Sequence, residues 1–337
     1  MTRITRRTAG HSAAGLLLGL GLGSSMGGRA MAQAAAPVRI ALGDVVSVET
    51  LATLVALERA KDRGVPYVLT SFAKEELAIQ SIVNGQMDLG IGSPYALIQR
   101  ARVPLRNLFQ LSRLIFFPVV TKEWRSWKDV NGQPFAFHAR GTGTEAIGNI
   151  IAEREGIQFG ARSYVPGSEN RIIALMQGQI KGTIVDLSNK NKLMAMPGAA
   201  DRFHVLPGVD QPASDELLFG NQDWITKNPT QVAVVIEEML RTWRELVADP
   251  ASMERERAKR GLLADQPKEI LADTVPFYTE GVANNLFDRN GGGEAAAKVD
   301  FDFFTRAGQL KGNVADLKLE EFWDLRPLNA ALLKVGA

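Results

Sequence analysis

Apolar positions recur along this chain with two periods, and the switches between the periods lay out its elements. Pro37 to Leu42 alternates as a strand does and ends at Gly43-Asp44. Val48, Leu51, Leu54 and Val55 then share one helix face, closed by Gly64. Tyr67 to Thr70 predicts a second strand, ending at Ser71-Phe72, and Lys74 to Asn84 a second helix stopped by Gly85. Met87 to Gly92 predicts a third strand. Ser93 follows as a helix N-cap, with Pro94 at the first helical position. Strands linked by helices through short loops predict parallel pairing and an α/β fold.

The pattern then repeats. Phe135 to Ala139 predicts a strand that runs through Arg140-Gly141-Thr142-Gly143-Thr144 into a helix reaching about Arg154. Ser163 to Val165 predicts a short strand, Asn170 to Gln177 a helix stopped by Gly178, and Gly182 to Asp186 a strand. Ser81 to Met87 aligns with Ala174 to Ile180 without a gap, and the same register sets Ser93 opposite Asp186. Two similar α/β lobes are the simplest account. The apolar run Leu108 to Thr121 predicts one strand crossing between them, and Ser214 to Asn221 brings the chain back. The first lobe is therefore expected over 37–117 and 219–337, and the second over 121–215. Asn228-Pro229 caps a long helix to about Ala248, with Val232, Val235, Ile236, Met239, Leu240 and Trp243 inward. From Ala251 onward no strand pattern recurs. That helical tail, with a loop at Gly291 to Gly293, is expected on the first lobe.

Charge changes the picture at the N-terminus. Arg3, Arg6 and Arg7 precede a Gly/Leu/Ala-rich stretch too short to span a bilayer, and Ala30-Met31-Ala32 follows as a cleavage pattern. Residues 1–32 are expected to be a signal peptide, with Thr5-Arg6-Arg7-Thr8 resembling a twin-arginine signal. The +2 net charge of the whole chain belongs largely to this leader, because the four arginines there meet no acid; residues 33–337 carry a net of −2. No basic run suggests nucleic acid. The absence of cysteine removes disulfides, thiolate nucleophiles and Cys-based metal sites. Beyond residue 32 the chain exceeds the usual single-core limit of roughly 250–300 residues, in keeping with two lobes.

Ligands of parallel α/β sheets sit at the carboxyl ends of strands. Those ends are Gly43-Asp44, Ser71-Phe72, Gly92-Ser93, Arg140 to Thr144 and Asp186. The loop Gly141-Thr142-Gly143-Thr144, at a helix start beside Arg140, suits an anionic group, but it equally suits a plain strand-to-helix turn. Asp186 suits either a ligand contact or a helix cap. Phe72, Tyr95 and Trp224 are available as apolar walls or as core. Catalysis finds little support. No paired histidine motif and no GxSxG elbow is present, and Glu237-Glu238 reads as a solvated helix face. His138 is expected to be structural. No cofactor and no metal is expected.

The run from Phe72 through Val83-Asn84-Gly85-Gln86-Met87-Asp88-Leu89-Gly90 to Tyr95-Ala96-Leu97 resembles the periplasmic substrate-binding proteins of the nitrate/sulfonate/taurine type, the NMT1/THI5-like family. Trp127 to Gly132, Asn228-Pro229, Phe303 to Gly308 and Phe322-Trp323-Asp324 are similar to it as well. The resemblance implies a two-lobed type II periplasmic-binding-protein fold with two crossovers. It further implies hinge closure on a small-molecule ligand, and delivery to an ABC permease with a cytoplasmic ATPase. The site it implies is Gly43, Asp44, Phe72, Gly92, Ser93, Gly141, Thr142, Gly143, Thr144 and Asp186. The expected solute is a carboxylate, sulfonate or similar anion, bound by a monomer. The alternatives are an exported enzyme using His138 or Asp186, and the receptor of a TRAP-type transporter. The pyrimidine synthases of similar fold depend on cysteine, which this chain lacks.

Overall fold

The computed structural model describes residues 36–140, 142–209 and 212–336. The expected leader and Gly141 lie outside the described residues. The first sheet is built from β1 (Val38–Leu42), β2 (Tyr67–Ser71) and β3 (Leu89–Gly92), linked through helices α1 (Leu51–Asp62) and α2 (Glu75–Val83). Helix α3 (Tyr95–Ala101) leads to β4 (Leu105–Gln110), and β5 (Phe116–Thr121) opens the second sheet. There α4 (Trp127–Val130), β6 (Phe135–Phe137), α5 (Gly143–Glu155), β7 (Arg162–Tyr164), α6 (Ser168–Met176) and β8 (Gly182–Asp186) follow. Helices α7 (Leu187–Ala195) and α8 (Ala199–Arg202) precede β9 (Phe203–Val205), and β10 (Leu217–Asn221) returns to the first sheet. The rest is helical: α9 (Gln222–Lys227), α10 (Pro229–Ala248), α11 (Ser252–Arg260), α12 (Lys268–Leu271), α13 (Thr274–Ala283), α14 (Gly293–Arg306), α15 (Leu319–Phe322) and α16 (Arg326–Val335). No helix among the described residues is long and apolar enough to cross a membrane.

The two sheets share one topology. Their strand orders are β2-β1-β3-β10-β4 and β7-β6-β8-β5-β9. In each, three parallel strands are followed by one antiparallel strand and then an edge strand. The antiparallel strand is exchanged. β5 leaves the first sheet for the second, and β10 comes back. The single crossing strand expected over Leu108 to Thr121 is thus two strands, one per sheet, with a crossover at Leu111 to Ile115 between them.

The internal repeat is a repeat of backbone geometry. Gly85 and Gly178 adopt φ of +71° and +72°. Gln86 N–H donates to the Ser81 carbonyl and Gln179 N–H to the Ala174 carbonyl, each at 2.9 Å. Only glycine takes this left-handed C-cap without strain, so the same sequence step ends both helices.

The inward face of α10 is as expected, with Val232, Val235, Ile236, Met239, Leu240 and Trp243 all buried. Trp243 Nε1 donates to the Leu111 carbonyl at 2.9 Å, fixing α10 to a crossover. The tail packs on the first sheet as expected, and one expectation fails. Glu237 and Glu238 are buried, bonded to Arg63 at 2.8 and 2.7 Å, with Lys334 also on Glu237, because α16 and the end of α1 cover that face. The helical tail also reaches beyond the first sheet. Asn149 on α5 donates to the Ala307 carbonyl at 3.0 Å, and Lys190 on α7 pairs with Glu280 at 3.1 Å.

Candidate ligand cleft

The two crossovers pair with each other. Arg113 bridges Ser214, Leu114 N–H donates to the Ala213 carbonyl at 2.8 Å, and Asp215 N–H to the Ser112 carbonyl at 2.9 Å. A cavity of about 60 Å³ lies against this ladder. Its walls are Glu75, Ser93, Tyr95 and Ala96 from the first sheet's side, and Thr142 and Gly143 from the second's. Leu114, Ser214 and Asp215 come from the crossovers, and Phe304 and Gln309 from the tail.

Glu75 organises the first side. It opens α2, and its Oε1 accepts the Ser93 N–H at 2.6 Å. A Cβ at Gly43 would lie 2.7 Å from the Glu75 Cα, and one at Gly92, whose φ is +150°, would lie 2.7 Å from Oε1. Those two glycines make room for Glu75, a local reason for their presence at strand ends. Ser93 was expected to cap α3. Instead its N–H serves Glu75, Pro94 occupies the N-cap, and no side-chain cap bond forms. The second sheet repeats the arrangement in the register of the repeat: Ser168 opens α6 and its hydroxyl accepts the Asp186 N–H at 3.4 Å. Buried Arg171 donates to that hydroxyl at 2.7 Å and to the carbonyls of Ile184 and Val165 at 3.1 and 2.9 Å.

The other expected residues divide. Thr142 is the N-cap of α5 without capping it; its hydroxyl donates to the Ala139 carbonyl at 2.8 Å. Buried Thr144 accepts the His138 N–H at 2.9 Å. Both hydroxyls expected for an anion therefore hold their own loop. Gly143 packs under Leu114, where a Cβ would sit 2.4 Å from Cδ2. Arg140 is exposed, 5.1 Å over the Tyr164 ring. Asp186 caps α7, accepting the Asn189 N–H at 2.8 Å. Asp44 is exposed and accepts its neighbour Val45 N–H at 2.7 Å. Phe72 and Trp224 are half-buried against the core, and Tyr95 is fully buried. His138 is half-buried, its Nδ1 accepting the Gly167 N–H at 3.2 Å; burial and then Arg171 hold its pKa below the ordinary value. That bond places the proton of the neutral ring on Nε2.

Four carboxylates that the strand-end rule did not single out face this region. Burial pushes Glu75 up to about 7 and Glu216 up to about 8, with Asp44 adding to both. Asp215 and Glu49 are driven well above the ordinary carboxylate range by the surrounding protein and by their neighbours' charges. None of the four has an ion-pair partner among the described residues. The available signals were small: a Glu-Glu pair at a helix start, and an Asp-Glu pair interrupting the apolar return segment. Among the described residues no three His, Asp or Glu side chains converge as a metal site.

The family described as NMT1/THI5 like matches residues 61–253, more than half of the chain. The chain belongs to the NMT1/THI5-like family. No match was found among curated proteins. Among solved structures, the periplasmic nitrate-binding protein of Synechocystis superposes with a TM-score of 0.64 at 12% identity, covering 89% of each chain. The periplasmic aliphatic sulphonate binding protein of Escherichia coli gives 0.60 at 13% identity, covering 86% of this chain and 92% of its own. A Candida albicans protein with the generic periplasmic binding protein fold gives 0.61 at 10% identity, covering 89% and 95%. This NMT1/THI5-like chain therefore has the two-lobed periplasmic-binding-protein fold, its two lobes expected from the repeat and the fold type from the resemblance.

Proposed function

We propose that this NMT1/THI5-like protein captures a small solute between its two sheets and delivers it to an ABC importer. One observation carries the reading. Two α/β units of equal topology exchange one strand each, and the paired crossovers between them border a cavity lined from both sides. Such a pair of linkers is a hinge, and a solute touching both lobes favours the closed form by differential affinity. The lobes are read as 37–117 with 219–337, and 121–215. The protein works as a monomer in the periplasm, its leader cut near Ala32, and its partner is a permease with a cytoplasmic ATPase. It binds rather than transforms: Asp186 is engaged as a cap, and His138 Nδ1 by Gly167 N–H.

The contacts proposed for the solute are Ser93, Thr142 and Gly143, with Glu75 and Asp215 added. Asp44, Phe72, Gly92 and Gly43 are proposed around that side, and Arg140, Thr144 and Asp186 around the other; Gly141, proposed with them, lies outside the described residues. An anionic solute keeps one supporting feature, the first turn of α5, which carries no side-chain cap. The sulphonate and nitrate receptors of similar fold bind anions by name.

Gly143→Val tests the site. A Cβ there would sit 2.4 Å from Cδ2 of Leu114 on the crossover, and the two further methyls of valine crowd the seam where a solute would be enclosed. Isothermal titration of the protein's solute, found by thermal-shift screening, is expected to show at least about tenfold weaker binding with unchanged far-UV dichroism. Adding Leu114→Ala to Gly143→Ala restores most of the affinity. Unchanged affinity in Gly143→Val removes the start of α5 from the site.

A further inference from the structure

The charge of the cavity walls favours one class of solute. Glu75 and Asp215 both line the cavity, Glu216 follows in the same crossover, and Asp44 stands near enough to act on all three. Three cations of the neighbourhood have partners elsewhere. Arg171 spends its donors on Ile184, Val165 and Ser168, and Lys190 pairs with Glu280 at 3.1 Å. Arg113 pairs with Asp288 at 2.5 Å, and Arg140 lies over Tyr164. Among the described residues, the cavity lining therefore holds two carboxylates and no positive side chain. Phe304 adds an aromatic wall, a surface that attracts a cation and not an anion.

Resting on the solute-capture reading, we infer that the solute carries a positive charge, an amine or amidine head seated between Glu75 and Asp215 in the cavity. An anion at α5 would meet these same carboxylates at close range, and like charges there raise the cost of binding. The small cavity suits a head group; whole drug-sized ligands occupy roughly 300 Å³ or more. The spread of the carboxylates, with no three convergent, fits an organic head with several N–H donors better than a bare metal ion.

The cation also sets the sign of the pH response. Carboxylates lose protons as pH rises, so a cation binds more tightly at pH 8 than at pH 5.5, whereas an anion does the reverse. His138, held below its ordinary pKa, is neutral over the upper part of that range and does not invert the trend. Asp44, Glu76 and Glu169 also face His138, and their negative charges only partly offset the lowering by burial and Arg171.

The experiment is a thermal-shift and calorimetric panel at constant ionic strength. Its probes are ethanolamine, putrescine, choline, guanidine and benzamidine against acetate, ethanesulfonate, taurine and nitrate, with uracil and glucose as neutral compounds. At least one cation is expected to raise the melting midpoint, to bind tenfold or more weakly at pH 5.5 than at pH 8, and to lose tenfold or more in Asp215→Asn. Glu75→Gln, which keeps an oxygen for the Ser93 N–H, is expected to weaken it similarly. Stabilisation by an anion that strengthens at low pH overturns the inference and leaves solute capture standing. Cation binding unaffected by Asp215→Asn and Glu75→Gln also overturns it. A flat response to every compound removes the solute-capture reading with it.

Discussion

Asp300→Ala is expected to lower the melting midpoint by roughly 5–10 °C, from a loss of about 3 kcal/mol. Asp300 is completely buried on α14. Its carboxylate accepts Tyr95 Oη at 2.6 Å, the Ser214 N–H at 2.6 Å and the Ser214 hydroxyl at 2.7 Å. Tyr95 Oη accepts Trp323 Nε1 at 2.6 Å, so the network joins α3, the tail and the return crossover at one point. Burial raises the Asp300 pKa to about 6 against the pull of these donors. Removing the side chain leaves the Ser214 amide without its acceptor in a dry place, the costly half of losing a hydrogen bond. Asp300→Asn keeps one carbonyl acceptor and is expected to lose less than half as much. Differential scanning calorimetry measures both, and equal midpoints for wild type and Asp300→Ala would show that the tail does not brace the hinge.

Raising the pH from 6.5 to 8 is expected to destabilise the ligand-free protein by about 1–2 kcal/mol after allowance for solvent screening. The sign follows from proton counting. Glu75 and Glu216 hold protons to about 7 and about 8 in the folded chain, and release them near 4.5 when unfolded. Over that window the folded state binds more protons, so stability falls as pH rises. Glu237, Glu254 and Glu256, held low by their arginine and lysine partners, act only below their ordinary value of 4.5. His138, held below its ordinary value of 6.5, opposes the trend around and below that value and fades toward pH 8. Asp215→Asn with Glu216→Gln is expected to flatten the response and to raise the midpoint at pH 8 by a few degrees. Urea unfolding across the window tests this; a slope of the opposite sign would mean that the cleft carboxylates are already neutralised by something other than protons. A binding site that costs stability in the empty protein is the expected trade when unpaired charge is kept ready for a partner.

Much of the architecture was legible in the chain. Strand alternation, glycine stops and one seven-residue match were enough to expect two parallel α/β units, because the signals are local and each glycine carries a backbone conformation. The boundaries of α10 and β8 agree with their patterns for the same reason. The exchanged strands were not legible. Leu108 to Thr121 is one apolar run, and nothing local says that it breaks at Leu111 to Ile115 or that each half joins a different sheet. Burial of Glu237 and Glu238 was equally hidden, since their cover comes from Arg63 and Lys334, far away in sequence.

The site shows the same division more sharply. That Gly43, Gly92, Ser93, Thr142, Gly143 and Asp186 stand at strand ends and helix starts was legible because those boundaries are written in the sequence. What each does was decided by neighbours. Gly43 and Gly92 yield space to Glu75, Thr142 and Thr144 hold their own loop, and Asp186 caps α7. Glu75, Asp215 and Glu216 gather only when the crossovers pair, and charge accumulates through space rather than along the chain. The sequence by itself determined a two-lobed receptor; the tertiary structure decided the sign of the charge between the lobes.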